Sequence, residues 1–248
     1  MPIECESQKT TCDNDLLGAH LPSDHSSQTF GMKEALSILK NSPGDGQTIK
    51  ILDLGCGTGA SYDEFASAVQ KFSWVGIDIE DSPEVQMRVR NDVDFMTFDG
   101  VVIPLPDASV DLVYSHQVYE HVRKPEDLLA EIIRVLRPGG YFIGSTSHLE
   151  PFHSRSFWNF TPYGFATILK TAGFTSILLR PGIDGLTLII RRLLGLVKLG
   201  NLLNPFFRHE SPLNFFIELL GRFTFRDIQN RNALKLLFSG HFIFIVCK

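Results

Sequence analysis

The chain has 248 residues, of which 44% are hydrophobic and 21% charged, proportions that are ordinary for a soluble globular protein. Its formal net charge of −5 argues against nucleic acid as the main partner, because phosphate binding needs a basic surface. The four cysteines are scattered without a CxxC pair, which argues against a structural zinc site and a disulfide framework. We expect neither a secretory signal nor a transmembrane helix, and therefore a cytoplasmic protein.

The N-terminal part of the chain is predicted to lie outside the main domain. Residues 1–28 are polar and show no period, which predicts a loose arm or, alternatively, a flap that orders with ligand. A helix is predicted over residues 30–39, and a linker follows it at residues 41–46. We therefore interpret residues 1–46 as an arm and helix that form a lid or cap.

Strand and helix signals alternate through the middle of the chain. Strands are predicted at residues 51–54, 74–79, 93–98, 110–115, 141–145, 175–179 and 241–247. Helices are predicted at residues 61–69, 84–90, 125–136 and 160–172. This alternation predicts an α/β fold, a Rossmann-like doubly wound sheet with helices on both faces. In such sheets ligands bind at the carboxyl ends of the strands.

The first strand runs into a turn with glycine at every second position, Gly55, Gly57 and Gly59. Glycine allows a sharp bend and close approach of a ligand, and the helix that follows points free N–H groups at the same place. Asp53 lies two residues before the first glycine. A carboxylate at the end of a buried strand is costly without a partner, so we expect a cationic group of the ligand beside it.

Two further strands end in acids. Asp78 follows the second strand and is expected to accept hydrogen bonds from ribose hydroxyls, the alternative being a solvated loop acid. Asp99 and Gly100 end the third strand and could meet an exocyclic amine of adenine, although Asp-Gly is also a common turn pair.

Two longer phrases decide between cofactors. Gly55, Gly57 and Ala60 also satisfy the G-x-G-x-x-A form of nicotinamide enzymes. Asp53, the phrase DASVDLVYSHQVYEHV at residues 107–122 and the phrase EIIRVLRPGGYFIGS at residues 131–145 argue against hydride transfer. Together these features resemble the class I S-adenosylmethionine-dependent methyltransferases, in the subgroup with an LDxGCGTG turn and a RvLkPGG turn.

The resemblance covers residues 50–147 and, more loosely, 160–179. It implies a seven-stranded sheet whose last strand is antiparallel, with a core over residues 47–182 plus 239–248. It also implies that the cofactor is S-adenosylmethionine, with S-adenosylhomocysteine as product. The cofactor-binding residues that it implies are Asp53, Gly55, Cys56, Gly57, Gly59, Asp78, Ile79, Asp99, Gly100, Ser115 and His116.

A general base is needed only if the methyl acceptor must lose a proton, as a hydroxyl would. Candidate residues are His116, Glu120, His121, His148 and His153. We rank His148 and His153 first as catalytic residues, because they follow the fifth strand, where the acceptor usually lies in the family. No acidic ligand set requires a divalent metal. The reaction expected is methyl transfer to a small molecule, at oxygen in preference to nitrogen or carbon.

Residues 183–238 form a predicted helical insertion between strands 6 and 7 that would cover the substrate. Within it, helices are predicted over residues 186–203, 213–223 and 228–238. Residues 180–235 hold nine Lys or Arg and four Asp or Glu, a local excess of +5. A packed cap, an acceptor lid and a helix on a membrane surface, at residues 186–238, all remain open, as does a homodimer. Alternative functions are methylation of a lipid-linked, isoprenoid or saccharide acceptor at a membrane, and a catalytically silent cofactor-binding subunit.

Overall fold

The computed structural model describes residues 17–26, 30–41, 47–196, 211–224 and 227–248. The strands are β1 Ile49–Leu54, β2 Phe72–Asp78, β3 Asp94–Thr97, β4 Val110–His116, β5 Leu136–Ser147, β6 Ser176–Pro181 and β7 His241–Cys247. The helices are α1 Gly31–Asn41, α2 Ser61–Ala68, α3 Pro83–Gln86, α4 Pro125–Val135, α5 Pro162–Ala172, α6 Gly185–Leu196, α7 Pro212–Thr224 and α8 Ile228–Leu237. Two 3-10 turns lie at Gly18–His20 and Tyr119–His121.

All seven strands form one sheet in the order β3-β2-β1-β4-β5-β7-β6. Neighbours from β3 through β5 pair in parallel, whereas β7 runs antiparallel to both β5 and β6. The chain reverses direction across the sheet between β1 and β4, so the carboxyl ends of these two strands open a crevice for a ligand. The predicted fold, including the antiparallel last strand and the helical insertion before it, is confirmed.

Helices cover both faces of the sheet because its strands are apolar on both sides. On one face α1 and α2 pack on Ile51, Leu112 and Ile143 through Met32, Ala35 and Phe65. On the other face α4 buries Leu128, Leu129, Ile132 and Val135, and α5 buries Phe165 and Leu169. Burial of both sheet faces is what the near-continuous apolar strands predict.

Two element boundaries differ from the prediction. The sequence predicts that residues 138–140 turn the chain after α4, but β5 already begins at Leu136 and includes them. Gly139 adopts φ +75°, and its N–H donates to the carbonyl of Lys248, so the bend is absorbed inside the strand. Helix α3 ends at Gln86 instead of residue 90, which leaves Arg88 and Arg90 in irregular chain.

Residues 17–26 are packed and not loose, which corrects part of the predicted arm. Leu17 and Leu21 are buried in the core, and His20 Nδ1 lies 3.2 Å from the carbonyl of Ile177. Asn232 of α8 donates to the carbonyls of Pro22 and Asp24 at 2.9 Å. Residues 1–16 and 27–29 lie outside the described part of the chain.

The described parts of the insertion are the helices α6, α7 and α8, which match three helices predicted between β6 and β7. The predicted helix over residues 186–203 is seen to Leu196, and its remainder lies outside the described residues. No helix in the described ranges is long and apolar enough to span a bilayer.

Candidate functional site

The glycine turn after β1 has the backbone that only glycine adopts easily. Gly55, Gly57 and Gly59 have φ values of +70°, +51° and +81°. A Cβ at Gly55 would lie 2.3 Å from a methyl of Val118, and one at Gly59 would lie 2.7 Å from the ring of Phe95. Val118 and Phe95 therefore pack directly against the turn, and a larger residue at Gly55 or Gly59 would force these side chains to move.

Two arginines hold this turn, although the sequence pattern does not predict their role. Arg88 donates from Nε and Nη2 to the carbonyl of Gly57 at 2.9 and 2.6 Å, and its guanidinium lies 3.7 Å above the Phe95 ring. Arg90 donates to the carbonyl of Gly59 at 3.0 Å and forms a two-pronged ion pair with Asp63. The two guanidinium groups thereby fix the carbonyls of Gly57 and Gly59.

Asp53 is buried at the end of β1, with 4% of its surface exposed. Its carboxylate accepts a hydrogen bond from the hydroxyl of Ser61, the first residue of α2. Burial raises the pKa of Asp53 to about 7, and the nearby charge of Asp78 adds to the rise while the Ser61 hydrogen bond opposes it. A cationic ligand group at this point would restore the ionised form.

Asp78 lies where the second strand meets the glycine turn. Its carboxylate accepts hydrogen bonds from the N–H of Gly57 and of Ile79, each at 2.8 Å. Burial raises the pKa of Asp78, and these two hydrogen bonds oppose that rise. The Asp78 carboxylate thus ties β2 to the glycine turn, and Asp78 lines a cavity at the carboxyl ends of the strands.

Asp99 is exposed at the end of β3, in the position that the sequence predicts. One carboxylate oxygen accepts from the N–H of Val101 at 2.9 Å and of Val102 at 2.7 Å, and these bonds lower the pKa of Asp99. The other oxygen of Asp99 is not used by these two bonds. Gly100, with φ +89°, forms the turn beside it.

A cavity of about 860 Å³ opens at the carboxyl ends of β1, β2 and β4. Eight residues that the sequence predicts for the site line it: Gly55, Gly57, Asp78, Ile79, Asp99, Gly100, His116 and His153. Five others, all in the described chain, do not line it: Asp53, Cys56, Gly59, Ser115 and His148. The fold therefore brings two of the three predicted cofactor-binding acids, Asp78 and Asp99, and one of the two top-ranked histidines to one cavity.

Three of the five residues outside the lining, Cys56, Ser115 and His148, have distinct surroundings. Burial raises the pKa of the Cys56 thiol to about 12, so the thiol stays protonated. Ser115 is buried, and its hydroxyl has no hydrogen-bond partner among the described residues. His148 is half-buried. Its backbone N–H donates to the carbonyl of Gly240, and its ring packs edge-on against Phe242. His148 is thus set into the β5–β7 side of the sheet.

Polar side chains from β4 and β5 continue the site beyond the cavity wall. His116 Nδ1 lies 2.8 Å from the Ser145 hydroxyl, which also accepts from the side-chain amide of Gln117 at 3.1 Å. His116 and Gln117 both line the cavity, whereas Ser145 is buried. These contacts fix the two cavity-facing side chains from behind.

Glu120 is a fully buried acid that the sequence left as a minor candidate. It accepts hydrogen bonds from the hydroxyls of Thr146 and Ser147 at 3.1 and 3.2 Å. Burial raises the pKa of Glu120. The backbone carbonyl of Glu120 accepts from the N–H of Phe157 at 2.7 Å, which joins the 3-10 turn after β4 to the loop after β5.

Glu150, which the sequence analysis missed, is buried next to Glu120. His241 Nε2 lies 2.6 Å from its carboxylate, Arg192 of α6 forms an ion pair with it, and the Ser147 hydroxyl donates to it at 2.5 Å. Burial alone would raise the pKa of Glu150, but these partners lower it to about 2. The carboxylate also lies 3.4 Å from Nδ1 of His153, which faces the cavity.

Glu120, His121 and His153 place one possible ligand atom each within 4.8 Å of one another. The His121 and His153 rings meet edge-on, 5.3 Å apart. A carboxylate with two imidazoles can hold a divalent transition ion. The same groups can bind or deprotonate an acceptor hydroxyl without an ion.

The fold and the glycine turn define an α/β domain that binds a nucleotide-containing cofactor at the carboxyl edge of its sheet. A family profile described as "Methyltransferase domain" matches residues 52–144. A probable S-adenosylmethionine-dependent methyltransferase from Mycolicibacterium smegmatis is 35% identical over 136 residues, which are 50% of this chain and 51% of that protein. The chain spans about half the length of the curated relatives that it matches first.

Solved structures confirm the fold over nearly the whole chain. The phosphoethanolamine N-methyltransferase 2 of Haemonchus contortus, solved with S-adenosyl-L-methionine, covers 96% of this chain and 56% of its own, with a TM-score of 0.55 and 17% identity. The [4+2]-cyclase SpnF covers 96% and 92%, with a TM-score of 0.55 and 18% identity. Residues 52–144 therefore match a methyltransferase domain, and nearly the whole chain shares the fold of these solved proteins.

Proposed function

We propose that the protein transfers a methyl group from S-adenosylmethionine to a small-molecule acceptor, at an oxygen nucleophile. The observation that carries the proposal is the single cavity that joins Asp78 and the glycine turn on one side to His116, His121 and His153 on the other. One wall has the chemistry for a nucleoside, and the opposite wall has imidazoles suited to a hydroxyl acceptor.

The residues at the first wall fit the cofactor. Gly55 and Gly57 line the cavity, and neither has a Cβ that would keep a ligand from the backbone. Asp78 offers carboxylate oxygens for ribose hydroxyls, and Asp99 offers its unused oxygen to the adenine amine. Asp53 lies behind the turn. Burial raises its pKa to about 7, and the cofactor's ammonium group would favour the ionised carboxylate, which then balances the positive charge.

At the second wall the chain positions the acceptor. S-adenosylmethionine supplies a sulfonium-activated methyl group when it is bound. His153 accepts the acceptor's hydroxyl proton, with Glu150 on the far side of its ring to stabilise the imidazolium that forms. Because Glu150 is itself ionised and fixed by His241 and Arg192, it keeps its charge throughout the reaction.

The catalytic contribution of the protein is mainly positional. Holding the nucleophile in line with the methyl and excluding water converts a bimolecular encounter into an oriented step, which can lower the barrier by several kcal/mol. The 3-10 turn at Tyr119–His121 and the loop at His153 are joined by the hydrogen bond from Phe157 to Glu120, so both imidazoles are held at fixed positions.

Two measurements test the proposal. Titration calorimetry with S-adenosylmethionine and with NAD should show binding of the first and none of the second; the reverse result would overturn the cofactor assignment. An acceptor panel of phenols, alcohols, amines and thiols, read by S-adenosylhomocysteine release, should give turnover with hydroxyl compounds. Turnover with amines alone would contradict the oxygen nucleophile, and cofactor binding without any turnover would favour a catalytically silent subunit.

A further inference from the structure

Helix α7 presents its apolar side chains to solvent and buries polar ones. The buried residues on its inner face are Asn214, Ile217, Glu218 and Gly221. The outer face carries the large apolar side chains, which are between 45% and 83% exposed: Phe215, Phe216, Leu219, Leu220 and Phe223. An amphipathic helix of a globular domain normally shows the opposite orientation.

This orientation is fixed by ionic and amide contacts on the inner face. Glu218 pairs with Lys235 at 2.9 Å and with Arg231 at 3.3 Å, both on α8. Asn214 donates to the carbonyl of Gly182 at 2.9 Å. Turning α7 to bury its phenylalanines would separate these buried charges and leave them without partners, so the apolar face stays outward.

Helix α6 repeats the pattern next to α7. Its exposed apolar residues follow one face at helical spacing: Leu186, Ile189, Ile190 and Leu193. Its inner face buries Thr187 and Leu188, and Thr187 donates from its hydroxyl to Asp184 at 2.8 Å. Since α6 and α7 contact each other, their outer faces form a surface, here named the α6–α7 surface, that exposes nine large apolar side chains.

The exposed charged side chains of α6 and α7 are basic. In the described parts of these two helices the only acid is Glu218, which is buried and paired with Lys235. In the sequence, residues 180–235 carry a formal excess of +5. Arg191 on α6 and Arg222 on α7 are exposed beside the apolar faces. A basic rim around an apolar helix face complements an interface that is apolar below and anionic at its surface.

We propose that the α6–α7 surface docks on an anionic membrane, with its leucine, isoleucine and phenylalanine side chains in the headgroup–acyl boundary. The exposed arginines of α6 and α7 favour a lipid surface of negative charge over a two-fold dimer through this surface, because such a dimer would bring the same arginines together.

The docking helix is connected to the acceptor end of the cavity. Arg192 of α6 pairs with Glu150, and Glu150 lies 3.4 Å from the His153 ring that lines the cavity. A membrane under α6 would therefore lie beside the acceptor wall, so an acceptor could enter from the lipid phase. This consequence rests on the proposed function; the docking itself does not.

The test is co-sedimentation of the full chain with vesicles of phosphatidylcholine alone and of phosphatidylcholine with phosphatidylglycerol. Wild type should bind the anionic vesicles, and binding should weaken as salt is raised. Phe216→Ser with Phe223→Ser should lower the partition coefficient by about tenfold or more. Arg191→Glu should weaken binding to anionic vesicles by about tenfold.

The matched control is Tyr163→Ser, which removes a comparably exposed aromatic side chain from α5, outside the α6–α7 surface. It should bind vesicles as wild type does. Melting temperature and S-adenosylmethionine affinity should be unchanged in every variant, which separates a failure of docking from a failure of the cofactor assignment. No vesicle binding by wild type, equal loss in the control, or self-association through this surface in place of vesicle binding would overturn the proposal.

Discussion

Asp53 and Glu218 are both buried acids, yet their pKa values move in opposite directions. Burial raises the pKa of Asp53 to about 7, with a hydroxyl from Ser61 as its hydrogen-bond donor. Burial alone would also raise the pKa of Glu218. Its hydrogen bonds and ion pairs with Lys235, Arg222 and the other nearby cations instead lower that pKa to about 2. The protein itself supplies the cations for Glu218, so this acid is structural. For Asp53 we propose that the cofactor supplies the cation.

The largest expected effect concerns the structural acid. Replacing Lys235→Met removes the ammonium that lies 2.9 Å from Glu218 and leaves a buried charge short of its nearest partner. We expect the free energy of unfolding to fall by about 3 kcal/mol or more, measured by urea denaturation. Lys124→Met is the control, because Lys124 and Asp127 form an exposed pair at 3.6 Å that should contribute below about 1 kcal/mol. If the free energy of unfolding falls equally in the two variants, the buried ion pair stabilises the fold no more than the exposed pair does.

A second effect separates the two histidines that the sequence ranks together. His153→Gln should lower kcat about 100-fold, because it removes the imidazole at the cavity wall, and the pH dependence of kcat should flatten. His148→Gln should change kcat little, since His148 packs against Phe242 away from the cavity lining. For both variants, kcat is measured with a hydroxyl acceptor that the wild-type protein methylates. A larger loss in His148→Gln would reverse the assignment of the base.

A smaller effect is expected at the ribose acid. Asp78→Ala removes the carboxylate that joins β2 to the glycine turn and faces the cavity. The Kd for S-adenosylmethionine should rise about 30-fold, which corresponds to about 2 kcal/mol for hydrogen bonds to a charged group. Glu80→Ala, at an exposed neighbouring acid, should leave the Kd unchanged. If both variants bind alike, Asp78 has no role in holding the ribose.

The glycine turn and the strand-end acids were predictable because their signal is local. Asp53 and Asp78 lie at the carboxyl ends of β1 and β2, and Asp99 lies just after β3. Parallel strands bring these ends to one edge of the sheet. The arginines that hold the turn were missed, since residues 84–90 read as a continuous helix. In the structure α3 ends at Gln86, and this frees Arg88 to reach the carbonyl of Gly57.

The acceptor side could not be predicted because it depends on long-range pairing. Glu150 lies after β5, but its partners are His241 at the start of β7 and Arg192 on α6. Their approach follows from the antiparallel placement of β7 and from the position of the insertion, neither of which local spacing encodes. The orientation of α7 was missed for a related reason, since the sequence shows an amphipathic helix without showing which face the body of the protein binds.

The comparison of the two acids is tested most directly by the proton balance of cofactor binding. With a pKa of about 7, Asp53 is mostly protonated at pH 6.5 in the free protein, and a cationic ligand group would ionise it. Calorimetric titration with S-adenosylmethionine at pH 6.5, in buffers of different ionisation enthalpy, should therefore show release of roughly three quarters of a proton by wild type. Asp53→Asn should lose that release. Binding without proton release by wild type, or equal release by Asp53→Asn, would contradict the proposal that the cofactor's cationic group ionises Asp53.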